Sequence, residues 1–196
     1  MNRRRKYMNN QNGKTALLVM DLQNGIVSRF AENTEILQPF QRAVEAARQN
    51  HIPVIFVRVG FSEGYPEVSP TNKIFSAISK AGGMTLMDSS TQIHESVQPK
   101  PDEPIITKYR ISAFAGSNLE VILRAQQINT LILSGISTSG VVLSTVREAA
   151  DKDFSITVLS DACLDADSEV HRVLMEKVFP RQAEVQNVEG WIGTLK

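Results

Sequence analysis

Short runs of consecutive apolar residues alternate along the chain with longer segments in which apolar positions recur every three or four residues. The runs TALLVMD (15–21), IPVIFVRV (52–59), PIIT (104–107), TLILSG (130–135), SITVLSD (155–161) and AEVQNV (183–188) predict six strands. Segments near 33–50, 117–128, 139–152 and 168–179 carry the helical period. Strands apolar on both faces and separated by helices predict a mostly parallel sheet, because a parallel pair needs a crossover connection that covers a face. The expected α/β architecture is a three-layer α/β/α sandwich with six strands in the order 3-2-1-4-5-6. The stretch 60–103, with several prolines and the sequence AGGM, reads as a long irregular loop. Loops of that length are usually functional, so it is expected to close over a pocket.

Composition narrows the class without choosing a function. A chain of 196 residues with 42% hydrophobic residues fits one domain, expected over 14–196. Its 21 acidic and 21 basic side chains give no charge excess that would point to nucleic acid or a membrane surface. The basic start MNRRRKYMNNQNG (1–13) lacks the apolar run of a secretory signal and is read as a disordered leader rather than a nucleic-acid arm. No run approaches the ~20 apolar residues needed to span a bilayer. The single cysteine, Cys163, excludes an intrachain disulfide and a cysteine cluster for zinc, so a reducing cytoplasm is the default location.

Ligands in a doubly wound sheet bind beyond the carboxyl ends of its strands. Asp21 closes the first run, Lys108 follows the third, and the turn 136–141 follows the fourth, so residues far apart in sequence are expected to meet there. A carboxyl in a partly apolar pocket can have its pKa raised and act as an acid or base, while a nearby lysine opposes the rise. Each residue also has a plain reading, Asp21 as a turn or helix cap and Lys108 as a surface charge. Their shared edge favours a site.

Together LLVMDLQNG, IITKYRISAFAGSNLEVIL, LILSGISTSGVV and VLSDAC resemble the isochorismatase-like hydrolases, or cysteine hydrolases, from about Lys14 onward. That family includes nicotinamidases, N-carbamoylsarcosine amidases and isochorismatases. The resemblance implies a catalytic group made of the strand-one Asp (Asp21), the Lys after strand three (Lys108) and a Cys at the elbow, where this chain has Val141. It also implies turn and oxyanion positions at Ile136, Ser137 and Gly140, a cis peptide at Ile136–Ser137, a small-molecule substrate, and assembly as a homo-oligomer. Gln23, Phe61 and Phe114 are expected to line the substrate pocket, the two rings as an apolar wall.

Valine cannot form the acyl intermediate of a cysteine amidase. Ser137, Thr138 and Ser139 offer hydroxyls, but the spacing of GISTSG is one residue longer than a Gly-x-Ser-x-Gly elbow, and His51, His94 and His171 have no obvious place beside them. Cys163 reads as core packing. The metal-binding nicotinamidases of the family have histidines after strand two, where this chain reads VRVGFSEGYPEVSP, so neither a metal nor another cofactor is expected. Isochorismatases, by resemblance, dispense with the thiol: the strand-one Asp protonates a vinyl ether and water adds. On that pattern Asp21 is the acid, Lys108 orients it, Val141 keeps the wall dry, and Arg58 and Arg110 are the nearest groups for substrate carboxylates. The alternatives are a silent member that binds a ligand or serves as an assembly subunit, and an amidase relative inactivated at the elbow.

Overall fold

A computed structural model describes residues 13–30 and 34–195; the expected leader, apart from Gly13, lies outside the described residues. Six strands, β1 (Lys14–Met20), β2 (Val54–Val59), β3 (Ile105–Lys108), β4 (Ile128–Ile136), β5 (Ser155–Leu164) and β6 (Glu184–Gln186), form one sheet in the order β3-β2-β1-β4-β5-β6. Every pairing is parallel. The helices are α1 (Asn24–Val27), α2 (Gln38–Gln49), α3 (Lys73–Ala81), α4 (Leu119–Ala125), α5 (Leu143–Asp151), α6 (Ser168–Val173) and α7 (Val188–Gly193).

The period-two geometry of a strand sorts β1 into two cores. Ala16, Leu18 and Met20 pack with Leu119 and Leu123 of α4 and Val146 and Ala149 of α5. Leu17 and Val19 pack with Phe40 and Val44 of α2 and with Val188 and Trp191 of α7. Both faces of the central strand are therefore covered, which is why its sequence is apolar without alternation. The Ser134 hydroxyl donates to the Leu18 carbonyl at 3.0 Å and ties β4 to β1 inside this core.

The stretch 60–103 is corrected in one respect: it contains α3. Asn72 caps that helix by accepting from the Phe75 amide at 3.0 Å, and Phe75 is buried beside Val59 and Phe61. Prolines before it and the Gly82–Gly83 pair after it hide a helix only nine residues long. The last apolar run is also shorter than expected, because Asn187 accepts from the Gly190 amide and starts α7. Cys163 lies within β5, not past it, paired in register with Gly135.

Between β4 and α5 the chain makes a five-residue π turn, 138–142, preceded by the cis peptide Ile136–Ser137. Wide turns of this kind are frequent at functional sites. Gly135 is required by close approach, since a Cβ there would lie 2.7 Å from the Met20 carbonyl oxygen. The elbow is thereby brought alongside the end of β1.

Candidate functional site

Register decides which side chains meet at the carboxyl edge. Met20 pairs with Val57 and with Gly135, and Val59 pairs with Lys108, so the ends of β1, β2, β3 and β4 are nearly level. Asp21 then leaves the sheet at φ 59°, a left-handed conformation that aspartate tolerates better than most residues, with its amide still bonded to the Val57 carbonyl at 2.8 Å. Asp21 Oδ2 is 3.0 Å from Lys108 Nζ, and the ammonium also donates to the Arg110 carbonyl at 3.0 Å. Sequence positions 87 residues apart thus form one buried pair.

The electrostatics of the pair are asymmetric. Asp21 is 5% exposed and Lys108 2%. Burial pushes the Asp21 carboxyl above its ordinary value, and Lys108, by charge and hydrogen bond, pulls in the opposite direction without cancelling the rise. Asp21 Oδ1 has no hydrogen-bond partner among the described residues although it is buried. A carboxyl with one oxygen on an ammonium and the other unengaged suits proton donation, because the free oxygen can carry the proton while the bound one fixes the group.

The remaining expected residues divide. Phe61 is buried at this edge, its ring 6.3 Å from that of Tyr109, which follows Lys108, and 5.4 Å edge-on from Phe75. Phe114 is a correction: it is buried, but its ring lies 5.8 Å from Phe154, the residue before β5 at the opposite edge, with the Lys152 ammonium 5.6 Å over it. The large ring fills the layer between α4 and α5 instead of facing the Asp21 edge. Gln23 is also placed differently from expectation. Its carboxamide accepts from the Val59 amide at 2.8 Å and donates to the Val59 and Thr91 carbonyls at 2.8 and 3.1 Å. Those bonds clasp β2 to the long loop and engage both amide protons, leaving one lone pair of the side-chain oxygen.

Val141 is 2% exposed and packs in the core that includes Ala113 and Cys163. Gly140, expected among the oxyanion donors, turns its amide back to the Ser137 carbonyl at 3.2 Å, an acceptor it shares with the Val142 amide. A Cβ at Gly140 would stand 2.7 Å from Ser137 Oγ, so a larger residue there would make the serine hydroxyl rotate away. Arg58 donates to Thr107 Oγ1 and Gln92 Oε1, both at 3.2 Å, and Arg110 to the Tyr109 carbonyl at 2.6 Å. Cys163 is buried, and burial pushes its thiol up to about 12.

Two contacts at the elbow escaped sequence reasoning. Thr138 Oγ1 is 2.9 Å from Nδ1 of His171, the histidine that has no obvious place in the sequence. The Ser139 amide donates to Asp165 Oδ2 at 2.6 Å. For Asp165, burial acts to raise the carboxyl pKa, but the hydrogen bonds from Ser139 and the following amides prevail and hold it low. The available signal was topological: α6 begins just beyond the carboxyl end of β5, so its first turn starts at the same edge as the elbow. Among the described residues no group of three or more His, Cys, Asp and Glu side chains is placed to hold a metal ion. Nor is any described helix long and apolar enough to cross a membrane.

The Isochorismatase domain profile matches residues 15–190. The chain is 32% identical over 186 residues to an isochorismatase family protein, YecD, of Escherichia coli O157:H7, across 92% of this chain and 96% of that one. It is 28% identical over 207 residues to the ureidoacrylate amidohydrolase RutB of Stutzerimonas stutzeri strain A1501, across 93% and 80%. Among solved structures, a cysteine hydrolase from Pseudomonas syringae pv. phaseolicola 1448A matches with a TM-score of 0.83 at 22% identity, over 93% of this chain and 92% of that one. The N-carbamoylsarcosine amidase from Thermoplasma acidophilum matches with a TM-score of 0.75 at 23% identity, over 90% and 97%. At such identities the two structures establish the shared fold alone.

Proposed function

The chain belongs to the isochorismatase family, and from that premise we propose that it hydrolyses a small vinyl ether by acid catalysis, with Asp21 as the proton donor and no protein nucleophile. The observation that carries the reading is the Asp21 carboxyl itself: buried, raised in pKa, bound to Lys108 through one oxygen and unengaged at the other. The amide hydrolysis named for RutB, if routed through an elbow cysteine, has no thiol to use where Val141 stands.

In the proposed reaction the vinyl double bond takes the proton from Asp21 at its terminal carbon, and the ether oxygen shares the resulting positive charge. Water then attacks the oxocarbenium carbon and returns a proton to the Asp21 carboxylate. The hemiketal breaks its ether C–O bond as its hydroxyl proton passes to the departing oxygen, releasing a ketone and an alcohol. Lys108 stabilises the carboxylate while it is charged, and an apolar Val141 helps keep it protonated beforehand. No redox partner is needed.

One observation favours a second reading, ligand binding without turnover: Asp21 and Lys108 are almost wholly enclosed, as a structural ion pair would be. Turnover of an enolpyruvyl ether, followed by ketone release, separates the two. The acid-catalysis reading expects activity in the parent and a loss of about 10²–10⁴-fold in Asp21→Asn, the usual scale for a general acid. A folded parent that binds the ether without ketone release overturns it in favour of binding.

A further inference from the structure

Thr138 and His171 form a hydroxyl–imidazole pair at the elbow that the acid chemistry above does not use. Thr138 is fully buried and opens the π turn, while His171 sits on α6, half-buried, its own amide bonded to the Asp167 carbonyl at 3.0 Å. The 2.9 Å contact joins Thr138 Oγ1 to Nδ1. A threonine hydroxyl has one proton. When the imidazole is neutral with Nδ1 bare, that proton is committed to His171; when the imidazole is protonated, Nδ1–H donates to the hydroxyl oxygen and the Thr138 proton must find another acceptor. In a fully buried position an unmatched donor is costly, so an anionic oxygen at the elbow becomes the favoured acceptor.

We propose that His171 is a positioning residue, setting whether the Thr138 hydroxyl points outward to the imidazole or inward to a carboxylate or other oxyanion bound at the elbow. The inference rests on the reading that the elbow is the ligand-facing turn, and it adds a proton-linked donor to it. Imidazole alone among side chains ordinarily changes charge between pH 5 and 8. The neighbouring elbow contact cannot substitute, since Asp165 is held ionised by its hydrogen bonds.

The charged groups around His171 come from three segments. Asp165 and Asp167 belong to the loop after β5, bound to the amides of Ser139 and of Glu169 and Val170. Glu169 and Arg172 on α6 pair with each other at 2.7 Å, and Arg172 also binds Glu176 of the following turn, which carries Lys177 as well. The elbow itself, 137–142, contributes no charged side chain.

The test uses a thiol installed by Val141→Cys, in the same single turn as Thr138, and needs no turnover. Its iodoacetamide alkylation rate is followed from pH 5 to 9 in the Val141→Cys protein alone and combined with His171→Asn or Thr138→Val. With both native partners present, the rate near pH 6 should exceed the single-thiol titration curve by about tenfold, the lower end for a hydrogen bond to a charged acceptor. His171→Asn keeps a neutral amide near Nδ1 and should abolish the excess, as should Thr138→Val, which leaves the imidazole able to titrate. An excess that survives Thr138→Val would mean that imidazolium charge acts alone, and one that survives His171→Asn would remove histidine; either result overturns the proposal. If both double variants unfold, nuclear magnetic resonance titration of His171 in the native chain with and without acetate decides the matter. Acetate should raise its midpoint, and an unchanged midpoint overturns the proposal. Neither readout depends on vinyl ether hydrolysis, so failure of that reaction is separately visible.

Discussion

The carboxyl edge and the outer face of β3 make opposite use of their charged residues. At the edge, Asp21 and Lys108 are enclosed, 5% and 2% exposed, and one carboxylate oxygen has no partner among the described residues. Beside β3 an open groove of about 550 Å³ is lined by Arg58, Gln92, Lys100, Glu103 and the half-exposed Ile105, yet Glu103 is bound by the Arg48 fork and Arg58 by Thr107 and Gln92. The groove has room and satisfied side chains; the edge has little room and an unsatisfied one. Burial is costly for a charge unless something uses it, so the strained environment, not the empty volume, marks where chemistry is to be sought.

The largest expected effect separates the elbow from the core beneath it. Val141 is as buried as Cys163, but a thiol there would stand in the turn that leads into α5, whose N-terminus favours the thiolate and offsets burial. Returned to an ordinary 8.5 it would be about one quarter thiolate, so Val141→Cys should be alkylated at pH 8 about 10³-fold faster than Cys163, which burial pushes up to about 12. Mass spectrometry of timed iodoacetamide reactions reads the ratio. Equal rates would show that the elbow is as inaccessible as the core and erase the contrast between them.

Next in size is the cost of breaking the buried pair. Asp21→Asn leaves Lys108 without its counter-charge and should cost about 3 kcal/mol, at the low end for such pairs because burial already disfavours the Asp21 carboxylate. Urea unfolding measures it, and a loss within 0–1 kcal/mol, the range of a surface pair, would move the Asp21 pair into the class of the groove.

The two regions should also respond to pH with opposite sign. Asp21 has a folded pKa above its ordinary 3.8, so the folded state holds the extra proton; its contribution is complete below 3.8 and is lost as pH rises through the folded value. For Glu103, burial acts to raise the carboxyl, but the Arg48 hydrogen bonds prevail and lower it below 4.5. Its contribution is therefore present above 4.5 and lost as pH falls through the folded value. Unfolding midpoints from pH 3 to 8 should flatten on the acid side in Glu103→Gln and on the upper side in Asp21→Asn. Matching slopes in both variants would contradict the contrast. The smallest effect is expected of Arg58→Gln in the groove, within about 0.5 kcal/mol by the same measurement.

The parallel sheet and the meeting of Asp21 with Lys108 were legible because apolar runs end in a polar residue at the same edge, and the strand order because it is that of a doubly wound sheet. What the sequence withheld was direction. Gln23 and Phe114 sit near the expected elements, but side-chain hydrogen bonding to Val59 and the space between α4 and α5 decided where they point. His171 was hidden for a different reason, since its partner Thr138 is 33 residues away and no local pattern records the contact. The helix α3 was masked by its flanking prolines and glycines, which signal its ends more strongly than nine residues signal its interior.

The bond from the Ser134 hydroxyl to the Leu18 carbonyl closes a separation of 116 residues, and β1 has β4 as one of its two neighbours. A growing chain can therefore pair β1 with β2 long before β4 exists, leaving the other edge of the central strand without its final partner. The order of synthesis matters for the site. Asp21 and Lys108 can meet within the first three strands, but the elbow arrives only with β4, so the buried pair can form before the turn beside the end of β1. Arrival of β4 is the act that joins the two halves of the sheet, and a polypeptide stopped before residue 128 would hold the Asp21–Lys108 pair beside an unfinished edge.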